Sequence, residues 1–318
     1  MTVMQTPPAA TQATTAVLVN RHSGTVRGMG VDAVRQMIEK SFAAAGNPAD
    51  IRLIDGSEIS DTVRQLLKEG HVRRIIVGGG DGTLTSVAGQ LAGTEIALGI
   101  LPLGTMNMVA KVLGMAQDLG QALEQLQHAD IRTIDAARAG EHLFLHHVSF
   151  GMQPRLVKVR ERLGYRSRIT KMLAGVRAFA AVMLKPQFQR LSLDIDGVRT
   201  EMRTPALIVS NNTYEDSMLL KQARLDEGVL GVYAVKPMTL GALLRLGFDL
   251  LRGRWRENLN VTAHRGREVI LARRQVLGRS SQNIKATADG ELMLFPLPLV
   301  IRSEPAALRM LVPGQKAG

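Results

Sequence analysis

With 318 residues and no cysteine, the chain is long enough for two modest domains with real cores and has no disulfide framework, which points to a reducing, cytoplasmic setting. Lys plus Arg total 40 against 28 Asp plus Glu, a net charge of +12 and a pI near 10.5, so the expected partners are anions: nucleotides, nucleic acid or acidic lipid headgroups. Seven Phe, three Tyr and one Trp are few for stacking single-stranded bases, and nucleic acid is not the expected partner.

Residues 1–15 mix Thr, Ala, Pro and Gln without a basic or apolar stretch, the composition of a disordered leader and not of a signal peptide. The longest weakly charged run, Ile96 to Ala110, is short for a bilayer span and is interrupted by Gly99, Pro102, Gly104 and Asn107. Membrane contact is therefore expected to be peripheral, at the inner face. Ala16 to Asn20 reads as a buried strand, Val31 to Ala45 as a helix, Ile51 to Ile54 as a strand, Ile59 to Glu69 as a helix, and Arg73 to Val77 and Ala97 to Leu101 as further strands. This alternation predicts an α/β unit with a parallel sheet and right-handed crossovers, its ligands at the carboxyl ends of the strands.

Three loops meet that edge: Asn20-Arg21-His22-Ser23-Gly24, Gly78-Gly79-Gly80-Asp81-Gly82-Thr83, and Pro102-Leu103-Gly104-Thr105-Met106-Asn107. The middle one carries the chemistry. Its glycines let a ligand approach the backbone closely, and the helical spacing of Leu84 to Leu91 places a helix N-terminus, with its unpaired N–H groups, behind them. Phosphate fits that arrangement, and Asp81 beside phosphate calls for a divalent cation or a hydrogen-bonded network between the two, a need that the Mg²⁺ of a nucleoside triphosphate fits. The turn has no lysine for a Walker loop, and Thr85 stands where a dinucleotide fingerprint needs its last glycine.

After a helix from Asp118 to Gln127 the pattern turns to strands, and a domain change is expected near residue 131. Arg132 to Arg138 and His142 to Phe150 read as a hairpin about Ala139-Gly140, followed by strands at Leu191 to Ile195, Glu201 to Ser210 and Leu230 to Lys236. His146 and His147, adjacent on one strand, should point to opposite faces and so not chelate together. Gln153 to Lys185 holds nine Lys or Arg against Glu161 alone, and reads either as a packed helix with a solvated basic rim or as a surface for anionic phospholipid headgroups. Arg245 to Arg279 carries nine Arg, and Trp255 among Arg252, Arg254 and Arg256 suits a bilayer interface. Arg224 to Val229 is an acidic turn before a strand, and Ala288-Asp289-Gly290-Glu291 is a tight Asp-Gly hairpin turn.

Gly79-Gly80-Asp81-Gly82-Thr83 followed by Leu103-Gly104-Thr105-Met106-Asn107 resembles the diacylglycerol kinase catalytic domain of bacterial lipid kinases, relatives of sphingosine kinases within the NAD kinase and phosphofructokinase-like superfamily. The resemblance implies an α/β nucleotide-binding domain over 16–130, a mainly antiparallel β-sandwich over 131–303, a C-terminal segment 304–318 that packs back on the first domain, and an active site in the interdomain cleft. It implies ATP as donor, held by Asn20, Ser23, Gly24, Gly78, Gly79, Gly80, Asp81, Gly82, Thr83, Leu84, Thr105 and Asn107. It implies Mg²⁺ at a loop formed by the carbonyls of Arg224 and Val229 and the carboxylate of Glu227, and a catalytic turn in which Glu291 takes the proton of a lipid hydroxyl and Asp289 assists. Arg21 replaces the family's proline, Thr85-Ser86 its Asn-Glu, Met108-Val109 its Asp-Phe, and Glu227 its metal-loop aspartate. Two alternatives stay open: an NAD kinase-like enzyme, which shares the Gly-Gly-Asp-Gly-Thr turn but not the Asp-Gly-Glu ending, and a basic nucleotide- or nucleic-acid-binding protein without catalysis. The oligomeric state and the acceptor lipid stay open as well, with diacylglycerol as the acceptor the resemblance implies.

Overall fold

The computed structural model describes residues 14–152, 154, 188–217, 222, 224–237, 239–273 and 282–314. Most of the leader, nearly all of the basic segment 153–185 and residues 315–318 lie outside the described residues.

The first unit alternates as the sequence pattern predicts. Strands β1 (Thr14–Asn20), β2 (Ala49–Ile54), β3 (Val72–Gly79) and β4 (Ala97–Pro102) lie in the parallel order β2-β1-β3-β4. Thr14 and Thr15, expected in the leader, belong to β1. Helices α1 (Gly24–Met29), α2 (Val31–Ala44), α3 (Gly56–Glu69) and α4 (Asp81–Leu91) connect them. Helix α2 buries Val34, Ile38 and Phe42, and α3 buries Ile59, Val63 and Leu66, one stripe each at helical spacing. The ends of α3 are specified locally, by a reciprocal Asp55–Glu58 capping box and by Gly70 in the left-handed region at φ 70°. Two shorter helices follow β4, α5 (Met108–Val112) and α6 (Leu119–Gln127), the latter capped by the Asp118 side chain, which accepts from the Gln121 N–H.

The second unit is made of β5 (Ala129–Ala139), β6 (His142–Phe144), β7 (His147–Gly151), β8 (Gln189–Ile195), β9 (Val198–Thr204), β10 (Ala206–Asn211), β11 (Leu230–Val235), β12 (Val261–Gly266), β13 (Glu268–Arg273), β14 (Asn283–Ala288), β15 (Glu291–Pro296) and β16 (Leu299–Pro313), with one helix, α7 (Leu240–Leu251). Two expected strands are each two. The stretch His142 to Phe150 breaks after Phe144, so β6 joins the large sheet through β5 while β7 enters a six-stranded sheet. Glu201 to Ser210 breaks at Pro205, which cannot donate to a ladder, and β9 and β10 go to different sheets. The six-stranded sheet runs β12-β11-β10-β7-β14-β15, and its inner residues (Val148, Phe150, Leu207, Val209, Val232, Ile284) pack on Leu191, Leu193, Val269, Leu271, Leu299 and Ile301 of the large sheet. That sandwich is sealed to the first unit by β16, which pairs antiparallel with β13 and β5 and then parallel with β4. Strand β5 accordingly serves two cores, Ile134 and Ala136 in the first and Ala137 and Ala139 in the second.

Candidate active site

The three nucleotide-side loops converge by backbone contact. A Cβ on Gly104 would lie 2.5 Å from the Gly80 Cα, and a Cβ on Gly78 2.8 Å from the Leu103 side chain, so these glycines are what lets the second and third loops touch. The first loop joins through the Thr25 N–H, which donates to the Leu103 carbonyl at 3.2 Å. Asn20 closes its own turn by accepting from the His22 N–H at 2.9 Å. Arg21, in the family's proline position, pairs with Asp55 at 3.1 Å, as His22 does at 3.0 Å, and holds the loop from outside. Ser23 precedes α1 with its Oγ buried and without a partner.

Asn107 does more structural work than its sequence context conveys. In the left-handed region at φ 49° it starts α5, and its Nδ2 donates to the carbonyls of Pro102 and Gly104, each at 3.1 Å. Its Oδ1 is buried without a partner, facing a space of about 10 Å³ lined by Gly79, Gly80 and Asp81, room for about one water. Thr105 is exposed beside it. Asp81 opens α4, half-buried, with Oδ1 3.4 Å from the Val109 N–H. Burial pushes its carboxyl above the ordinary range, the Val109 and Met108 N–H groups oppose that, and the nearby Asp289 charge adds to it. Because Leu84 is the first α4 residue to donate to a carbonyl of the turn, at Gly80, the N–H groups of Asp81, Gly82 and Thr83 are left for a ligand.

The Asp289-Gly290 turn joins β14 and β15, with both residues at positive φ (45° and 90°), as a two-residue hairpin requires. It places its two carboxylates differently. Asp289 is saturated: Oδ2 accepts from the Thr85 hydroxyl at 2.9 Å and the Leu145 N–H at 2.8 Å, and Oδ1 from the N–H groups of His146 at 2.9 Å and His147 at 3.1 Å. Thr85 thereby acquires a role, tying α4 to this turn. Glu291 instead reaches over the first turn of α4, where a Cβ on Gly82 would lie 1.6 Å from its Oε1. Between them opens a cavity of about 420 Å³, walled by Gly82, Thr85, Ser86, Arg138, His142 and Glu291.

Sequence reasoning missed the far wall. Arg138 is held by Glu304 through two bonds of 2.6 and 3.2 Å, and burial lowers the His142 imidazole pKa. Neither residue carries a motif, since each lies in an ordinary hairpin. The sequence pattern places His146 on a strand, facing away from His147, but it lies in the break before β7, where the two rings come to 4.6 Å. His146 is buried, its Nδ1 has no partner, and burial holds its pKa down against the pull of Asp289 and Asp81. Among the described residues no group of three or more His, Asp or Glu is gathered in a way that could hold a metal ion.

The expected metal loop is braced by its own contacts. Glu227 Oε2 accepts from both the N–H and the hydroxyl of Thr213, each at 2.7 Å, the Val229 carbonyl accepts from the Asn212 N–H at 2.9 Å, and the Arg224 guanidinium folds onto Asp226 at 2.9 Å. The same turn is pinned by Asp135, which accepts from the N–H groups of Gly228 at 2.6 Å and Ala306 at 2.9 Å. These contacts brace the loop from within and leave the Arg224 carbonyl and the second Glu227 oxygen outside the bonds named. Trp255, expected at a bilayer interface, is 3% exposed and packs edge-on against Tyr214 and Tyr233.

Two family models divide the chain where this cleft lies: the diacylglycerol kinase catalytic domain matches residues 14–139, and the YegS C-terminal NAD kinase beta sandwich-like domain matches residues 146–312. The chain belongs to the diacylglycerol kinase catalytic-domain family. Within this kinase family it is similar to a probable lipid kinase YegS-like of Pseudomonas putida, 29% identical over 274 residues, 83% of this chain and 85% of that one. A namesake from Pseudomonas syringae pv. tomato is 40% identical, over a stretch of 105 residues that spans 32% of this chain and 34% of the relative. A crystal structure of a putative diacylglycerol kinase from Bacillus anthracis str. Sterne has the same fold, with a TM-score of 0.73 over 98% of both chains at 19% identity. No helix among the described residues is long and apolar enough to cross a membrane.

Proposed function

We propose that the protein is an ATP-dependent lipid kinase that transfers the γ-phosphate to a hydroxyl of diacylglycerol or a related lipid, with Glu291 as the general base. The observation that carries this reading is the division of labour in the hairpin turn: Asp289 spends all its acceptor capacity on four donors, while the Glu291 carboxylate lies against Gly82 where the nucleotide loop and the cavity meet. Asp289 is on this view a positioning residue, and Glu291 is the proton acceptor.

The N–H groups of Asp81, Gly82 and Thr83 at the head of α4 hold the phosphates, in a site that costs no reorganisation during transfer. Asp81 fits one ligand of the Mg²⁺ that a nucleoside triphosphate brings, because burial disfavours its charge and a cation beside it restores the ionised form. The ion, when bound, neutralises charge on the phosphate oxygens. The acceptor hydroxyl enters from the cavity side, gives its proton to Glu291 and attacks the γ-phosphorus in line as the bond to the β–γ bridging oxygen breaks and ADP leaves, so that no covalent enzyme intermediate is required.

Phosphate transfer from γ-labelled ATP with Mg²⁺ into a total bacterial lipid extract tests the proposal against Glu291→Gln. A lipid labelled by the wild type and not by the variant supports both the reaction class and the base. Label absent from the organic phase, with NAD converted to NADP in a parallel tube, overturns the lipid reading in favour of an NAD kinase. Salt-sensitive nucleic-acid binding without ATP turnover overturns catalysis altogether.

A further inference from the structure

Helix α7 has two apolar faces, and among the described residues only one of them is covered. At about 100° of rotation per residue, Leu246 and Leu250 fall on one side of the helix. They pack against the buried cluster of Tyr214, Tyr233 and Trp255. Leu244, Phe248 and Leu251, spaced i, i+4, i+7, fall on the opposite side and are 65%, 52% and 66% exposed. The helix is capped by the Thr239 side chain, which accepts from the Ala242 N–H, so this is a built helix and not a frayed end. Leu259, a little further along, is 87% exposed.

The rim of that stripe is cationic. Arg245 and Arg252 are exposed at its edge, with the Arg252 guanidinium 4.2 Å over the Phe248 ring, and exposed Arg254 follows. Among the described residues none of these three arginines forms an ion pair. The helix's acid, Asp249, is engaged by the Asn258 amide at 2.6 Å. Arg256 turns away, toward Asp216 and the Tyr214 carbonyl.

We infer that this face of α7 docks the protein onto a bilayer containing anionic lipid. An apolar stripe with arginines along one edge is the pattern of a helix that lies in the membrane interface, its apolar face among the acyl chains and its cations at the headgroup phosphates. A second copy of the chain fits less well, because it would set this cationic rim against another chain of net charge +12, whereas an anionic headgroup layer is its complement. The inference deepens the lipid-kinase reading by giving the enzyme a face toward its substrate's bilayer, and its test does not depend on catalysis.

The test is flotation of the full chain, without ATP, with vesicles of phosphatidylcholine alone and of phosphatidylcholine with phosphatidylglycerol. The wild type should float with the anionic vesicles, and added NaCl should weaken that binding. The exposed-face pair Leu244→Asp with Phe248→Asp should lower the bound fraction by about tenfold, and Arg245→Glu with Arg252→Glu should weaken binding in the same direction. Phe248→Leu should bind as the wild type does. All four positions are exposed, so thermal melts should stay near the wild-type value, and transfer to lipid dissolved in detergent micelles should be unchanged. A wild type that ignores anionic vesicles, or aspartate variants that float as well as it does, overturns the inference. So does a dimer in sedimentation velocity that dissociates in the aspartate pair while vesicle binding persists, an outcome that assigns the face to a second copy. Absence of micellar transfer by the wild type tells against the lipid-kinase reading and leaves the docking result to stand on flotation.

Discussion

Gly82→Ala isolates the contact on which the mechanism depends. The added methyl would meet Glu291 Oε1 at 1.6 Å and Cδ at 2.6 Å, so the carboxylate must retreat by roughly 2 Å to regain ordinary van der Waals separation. The obstacle is the far end of a flexible side chain at an exposed position, and Gly82 is not among the glycines at positive φ, so the backbone has no reason to move. Stability should change little: alanine in a helix favours folding by about 0.4–1 kcal/mol, which offsets the altered Glu291 rotamer and keeps Tm within about 4 °C. Catalysis should not be spared. A misplacement of about 1 Å at a reacting group costs on the order of 10²-fold, so kcat should fall by about 10²- to 10³-fold while ATP affinity changes little. Steady-state kinetics of lipid phosphorylation, with ATP binding by calorimetry, measures both. In the Glu291→Gln background the same substitution should cost almost nothing more, because the group it displaces is already disabled. A Gly82→Ala enzyme within threefold of wild-type kcat, or an equal loss on top of Glu291→Gln, would refute the assignment of the base.

Asp289→Asn should destabilise the fold by about 2–4 kcal/mol in urea unfolding, because an amide nitrogen would face N–H donors that now share an ionised acceptor. Asp81→Asn should have the opposite sign. The Asp81 pKa is raised in the folded state, so its favourable contribution is complete below the unfolded value of 3.8 and is lost as pH rises. The variant should therefore gain on the wild type in thermal melts between pH 4 and 7 while losing phosphoryl transfer; an advantage that shrinks over that range would contradict the burial argument. For His146 the sign reverses again: its folded pKa is depressed, so stability is complete above 6.5 and falls as pH drops toward the folded value, with His142 acting in the same direction. His146→Gln should flatten urea-measured stability between pH 7 and 5, and an unchanged slope would mean that the imidazole is solvated.

What the chain sequence determined is what depends on neighbours a few residues away. Strand–helix alternation, glycine punctuation after β3 and the Asp-Gly turn are local signals, and the parallel sheet, the α4 N-terminus and the β14–β15 hairpin follow from them. Candidate residues in those motifs could be named, and the resemblance ranks Glu291 before Asp289, but nothing local tells the surroundings of the two carboxylates apart. They differ because Thr85, 204 positions away, and three N–H groups freed by the break between β6 and β7 converge on one of them, while the other finds Gly82. The same holds where expectation failed. Trp255 among arginines suits a bilayer interface until Tyr214 and Tyr233 enclose it. Burial, protonation and the free valence of a carboxylate are set by which distant segments pack together, and β16, which joins the two sheets, contributes to that packing through pairings that its own sequence does not announce.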